Sequence, residues 1–213
     1  MTKANNSIQK FEIYAVIVTA AGKFFFYDLI NQRLIFIILM FGFWGLYVFK
    51  RLKDDPNILK TWGFRTDNFN KVLYMVLPYG LTATALCFLI GFIQGTINMH
   101  WHIIPVILVY PLFGILQQFL LMSLLAGNIQ TMNRINTRTI ILLTSVLFGL
   151  LHYPYTWLII GTFVLSLFYT YIFLKERNLF VLGIFHGWLG AIFYYTVVNK
   201  DPFLEVFGPL INQ

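Results

Sequence analysis

Residues 110–125 read YPLFGILQQFLLMSLL, and the fold follows from what this run is and from what interrupts it. With its flanks, at 103–126, the run is apolar over about 36 Å of helix at 1.5 Å per residue, enough to cross a bilayer. Two adjacent amides, Gln117 and Gln118, sit near its middle, where an unpaired polar group costs free energy. They require partners from other helices. In comparably apolar surroundings the chain offers His152, in FGLLH, and His186, in GIFHGWLG. A Gln, Gln, His, His cluster drawn from three helices is therefore expected.

The rest of the chain supports a membrane setting. Of its 213 residues 59% are hydrophobic and only 11% charged, outside the range of a soluble domain. Apolar segments at 11–30, 33–49, 72–93, 103–126, 139–152, 157–174 and 179–198 are separated by short polar stretches, with no linker and no repeat. The expected fold class is all-α: a multi-pass transmembrane bundle of six to seven helices in one membrane domain over 1–213. Glu12, Lys23 and Asp28 interrupt the first segment, which reads either as a crossing helix or as one lying along the interface. The polar stretch 50–71 reads as a solvated loop with a short interfacial helix held by Trp62 and Phe64. Pro78 predicts a kink in the third segment.

A net charge of +7 does not indicate nucleic acid here, because the basic residues lie between hydrophobic spans. If all seven segments cross and the N-terminus is cytoplasmic, twelve of the fifteen Lys and Arg residues fall on the cytoplasmic side and the C-terminus lies outside. The polar N-terminus shows no cleavage site, so no removed signal peptide is expected. Cys87 reads as a small buried hydrophobe. His100 and His102 have a spacing that can touch a metal, but beside Trp101 they read as interfacial residues, and neither metal nor cofactor is expected. Ser123 and Ser145 read as serines bonded back to their own helices.

The order QQFLLM (117–122), FGLLH (148–152) and RNLFVLGIFHGWLG (177–190) is similar to the three signatures of the CPBP family, the CAAX-protease and bacteriocin-processing membrane proteins also called Abi proteins. Those signatures are EExxxR, FxxxH, and HxxxN or HxxxD preceded by a loop with Arg and Asn. The similarity covers about 105–195. It implies a multi-pass helical protein whose active relatives are intramembrane peptidases, in which a glutamate and a histidine activate water and the last motif helps hold the oxyanion. By position the resemblance implies Gln117, Gln118, His152 and His186 as the catalytic set, and Met122, Phe148 and Gly190 as substrate-binding residues.

Four of these positions depart from the pattern. Gln117 and Gln118 replace the two glutamates, Met122 the arginine, and Gly190 the final Asn or Asp. A glutamine orients water but has no useful basicity near neutral pH, and no Asp or Glu occurs between Asn68 and Lys175 to replace the lost carboxylates. Gly183 and Gly187 read as close-packing positions, while Gly190 suits packing and ligand space equally. Two functions stay open. One is a divergent hydrolase that cleaves a peptide bond in or near the membrane. The other is a pseudoenzyme that binds a membrane peptide, a lipid-linked peptide or a partner protein. The resemblance implies a bacterial plasma membrane as the setting.

Overall fold

The structure, a computed structural model, describes the backbone of residues 3–211 and the side chains of 6–26 and 29–208. Expectations that touch the side chains of Lys3 and Asp28 lie outside the described residues. All its regular elements are helical. Helix α1 (Lys3–Lys23) runs into a π-helical segment, Phe24–Leu29, and is followed by α2 (Arg33–Asp54) and the short α3 (Ile58–Trp62). Helix α4 (Phe69–Gln94) runs without interruption through Pro78. Helix α5 (Ile103–Gln118) passes through a second π-helical segment, Phe119–Gly127, into α6 (Asn128–Met132). Then come α7 (Thr137–Leu150), α8 (Thr156–Glu176), α9 (Leu179–Phe193) with a π-helical end at Tyr194–Val198, and α10 (Pro202–Ile211).

Five of these rods are long and apolar enough to cross a bilayer: α2, α4, the continuous Ile103–Met132, α8, and Leu179–Val198. Their outward faces carry large apolar side chains such as Leu46, Tyr74, Phe92 and Leu108, each more than 70% exposed, which a bilayer covers and water does not tolerate. The protein is a multi-pass helical membrane protein. The other two expected segments correspond to α7, which is apolar but has 14 residues, and to α1 with its π-helical extension.

The interior is a continuous apolar cluster centred on the π-helical segment after α5, where Phe119, Met122 and Leu124 meet Trp44, Trp62, Phe148, Phe173 and Leu182. Trp62 corrects the sequence reading of 50–71. It is not an interfacial anchor but is 4% exposed, with its ring 5.0 Å from that of Phe119. Trp44 is likewise enclosed and donates from Nε1 to Thr19 Oγ1 at 3.2 Å. Glu12 is buried because it has two donors, Tyr47 Oη and Asn128 Nδ2, both at 2.6 Å.

Two local devices fix the helix that carries His186. Asn178 caps α9 by accepting from Val181 N at 3.1 Å, and its amide donates to Arg65 O and Asn68 Oδ1. Leu179 N donates to Gly63 O at 2.7 Å, so the loop 63–68 holds the start of α9. The second device is the seam with α5. A Cβ at Gly114 would lie 2.2 Å from Gly183 O, and one at Gly187 would lie 2.5 Å from Tyr110 O, closer than any side chain permits. Glycines on both helices are what bring α5 and α9 into backbone contact.

Candidate functional site

The seam aligns the polar residues of the two helices. Gln117 lies three residues after Gly114 and His186 three after Gly183, and Gln117 Oε1 stands 2.8 Å from His186 Nε2. His152 reaches them from the turn just beyond α7. That turn bends back through His152 N to Gly149 O, 2.9 Å, and Tyr155 N to His152 O, 3.1 Å. The imidazole donates from Nδ1 to Phe148 O at 2.8 Å, a contact that leaves the lone pair of the neutral ring on Nε2. The rings of His152 and His186 are 6.4 Å apart, and Phe148 lies between them, 4.9 Å from one and 5.1 Å from the other. The helices thus bring together Gln117, Phe148, His152 and His186; of the expected cluster of two glutamines and two histidines, Gln118 is not part of this group.

These four residues line a cavity of about 780 Å³ whose wall is otherwise mostly apolar. Gly190 also lines it and faces open space, with nothing within 4 Å of where its Cβ would be. Packing against a neighbour therefore explains Gly187, whereas at Gly190 the missing side chain leaves room in the cavity. The far wall comes from α1, α2 and α10, which contribute Lys23, Arg33, Phe203 and Phe207. Lys23 donates to Tyr153 O at 2.8 Å, tying α1 to the turn that holds His152. Arg33 pairs with Glu205 at 2.9 Å, and Tyr155 donates to the same carboxylate at 2.8 Å, which closes α10 against α2 and the turn. No carboxylate lines the cavity among the described residues.

Two positions taken from the motif lie apart from this group. Gln118 is fully buried, does not line the cavity, and neither atom of its amide has a hydrogen-bond partner. Met122 is enclosed in the core, where Thr170 Oγ1 donates to its Sδ at 3.3 Å. Ser145 bonds back to Ile141 O as expected, whereas buried Ser123 has no partner.

A second cluster escaped the sequence reading in part. His100 and His102 meet Asp201, with His100 Nε2 at 3.3 Å and His102 Nδ1 at 2.6 Å from Asp201 Oδ2. The spacing of the two histidines is visible in the sequence, but their partner is 99 residues further on. Burial raises the Asp201 carboxyl, but hydrogen bonds from His102 and Tyr195 outweigh it and hold the group below the usual carboxylate range.

A half-buried amide and two imidazoles facing a mostly apolar cavity inside a multi-pass helical protein define the class: a helical membrane protein with a polar cluster in its interior. Residues 99–192 match the model of the family described as type II CAAX prenyl endopeptidase Rce1-like, and this region of the chain is similar to that family. The match begins six residues before and ends three before the 105–195 read from the motifs, and it contains Gln117, His152, His186 and Gly190. No curated protein and no solved structure matches the chain.

Proposed function

We propose that the protein takes an apolar peptide segment into the cavity and hydrolyses a peptide bond there, with His152 as general base. The observation that carries this reading is the tautomer of His152. Because Nδ1–H is committed to Phe148 O, Nε2 keeps its lone pair beside the cavity. In the forward step water adds to the scissile carbonyl carbon, its proton passes to His152 Nε2, and the carbonyl oxygen becomes an oxyanion. With Oε1 of Gln117 accepting from His186, the amide N–H groups of Gln117 remain as donors for that oxyanion. Collapse breaks the C–N bond, and the proton returns from His152 to the departing amine. The peptide leaves as a carboxylic acid and an amine.

A second reading has its own observation: the absence of any carboxylate from the cavity lining among the described residues favours a pseudoenzyme that binds a membrane peptide or a lipid-linked peptide without cleaving it. A mass-spectrometric cleavage assay decides between them, using purified protein in lipid, a library of membrane peptides, and the variants His152→Ala, His186→Ala and Gln117→Glu. Cleavage by the natural chain that disappears in both histidine variants supports hydrolysis. No cleavage by the natural chain, with activity acquired by Gln117→Glu, supports the binding reading. If all seven segments cross, the charge bias of twelve of fifteen basic residues on one side supports a cytoplasmic N-terminus and an outer C-terminus, and the family resemblance supports a plasma-membrane setting.

A further inference from the structure

We propose that His100, His102 and Asp201 form a binding site for a divalent transition-metal ion of the zinc class, which fastens the start of α10 to the loop before α5. The three ligand atoms lie within 4.8 Å of one another and come from two distant parts of the chain. Two imidazoles and one carboxylate are a frequent donor set for such an ion, with a fourth position left to water.

The geometry is closer to a site than three polar residues on a surface would be. Asp201 divides its two oxygens between different tasks. Its Oδ1 accepts from Tyr195 Oη at 2.7 Å and from Phe203 N at 3.0 Å, which fixes the plane of the carboxylate. Its Oδ2 is turned to both imidazoles. Tyr195 is itself enclosed, and its carbonyl accepts from Asn98 N at 2.8 Å, so the orienting group is held by the same loop that supplies the histidines. Outer hydrogen bonds of this kind are what aim ligands in metal sites.

Distances say how far the site is from the bound arrangement. Ligand atoms around a tetrahedral ion with bonds of about 2.0–2.1 Å stand roughly 3.3 Å apart. The separation of 3.3 Å between His100 Nε2 and Asp201 Oδ2 already has that value. His102 Nδ1 and Oδ2, at 2.6 Å, share a proton instead, and an ion replacing that proton opens the contact by about 0.7 Å. His102 N also points to His100 Nδ1, but at 3.4 Å this contact is long and yields easily. Because Phe203 and Phe207 of α10 line the cavity, an ion bound at Asp201, two residues before Phe203 and six before Phe207, holds one wall of the cavity in place. The proposal stands whether or not the cavity hydrolyses its ligand.

The test uses the full chain in detergent, treated with chelator and titrated with Co²⁺, followed by its visible d–d absorption, with Zn²⁺ competition and melting curves. One equivalent of Co²⁺ is expected, displaced by one of Zn²⁺, and Zn²⁺ should raise the melting temperature. Asp201→Asn keeps a side-chain oxygen for the start of α10 but removes the anionic ligand, and it should weaken binding at least about tenfold, as should His102→Gln. Tyr195→Phe, which removes only the orienting hydroxyl, should weaken it by about tenfold. Binding of unchanged strength in Asp201→Asn overturns the proposal, as does Co²⁺ that is lost instead from His152→Ala or His186→Ala. So does the absence of saturable binding by the natural chain when circular dichroism shows it folded.

Discussion

Inside the cavity His152 and His186 face neutral partners, a backbone carbonyl and a glutamine amide, whereas near the start of α10 His100 and His102 face the carboxylate of Asp201. The same side chain is prepared for different work in the two places. A neutral acceptor fixes which ring nitrogen carries the proton and adds no charge, so the other nitrogen keeps a lone pair for a passing proton. A carboxylate adds a negative charge, and the imidazoles beside it then favour a cation. The first arrangement suits turnover in an apolar enclosure, and the second suits a fastening.

The largest effect is expected where the lone pair is removed. His152→Ala should lower any peptide cleavage by about 10²–10⁴-fold, measured as kcat/KM on a cleaved peptide, because the general base is lost. A loss confined to KM would instead assign His152 to binding. Next comes the seam that sets the amide against its histidine. Gly114→Ala places a Cβ against Gly183 O and should cost about 3 kcal/mol in thermal or denaturant unfolding, while Gly190→Ala, which meets open space, should stay within about 0.5 kcal/mol. Equal costs at the two glycines would mean that the backbone contact of α5 and α9 does not hold the site together.

A smaller effect is expected from the amide alone. Gln117→Leu leaves His186 Nε2 without its acceptor and should cost about 1–2 kcal/mol, read from the same unfolding curves. The smallest lies outside the membrane, in the exposed pair of Arg65 and Asp67. Its hydrogen bond from Arg65 holds the Asp67 carboxyl down to about 2, so the pair helps at pH values above the ordinary carboxylate range, and that help fades as the pH falls toward 2. Asp67→Asn should flatten that acid limb and change the melting temperature by about 1 °C or less at neutral pH.

How much of this was legible in the sequence depends on distance along the chain. Gln117 and His186 stood out because an amide or imidazole inside an apolar span needs a partner, and each is the other's. His152 was recognisable by its place four residues after Phe148, but its depth was not, because the turn that carries it inward is set by local hydrogen bonds. Gly187 and Gly190 look alike as letters, and only the neighbouring helix separates a packing glycine from one beside a cavity. Gln118 and Met122 show the limit of carrying roles by position. They keep their places in the motif, but neither lines the cavity. Glu12 and Asp201 were missed for one reason: their partners, Asn128 and His102, are 116 and 99 residues away. Trp62 was misplaced because a tryptophan in a charged loop looks like an interfacial anchor until the core beneath it is known.

The brevity of α7 has a consequence for the lipid around it. Fourteen residues rise only about 21 Å, against roughly 30 Å of hydrocarbon. A bilayer meeting this helix must thin, or the turn at 151–155 must sit below the headgroups, its polar groups bonded within the protein as Tyr153 O is to Lys23. Either way the thickness of the host membrane bears on the turn that carries His152.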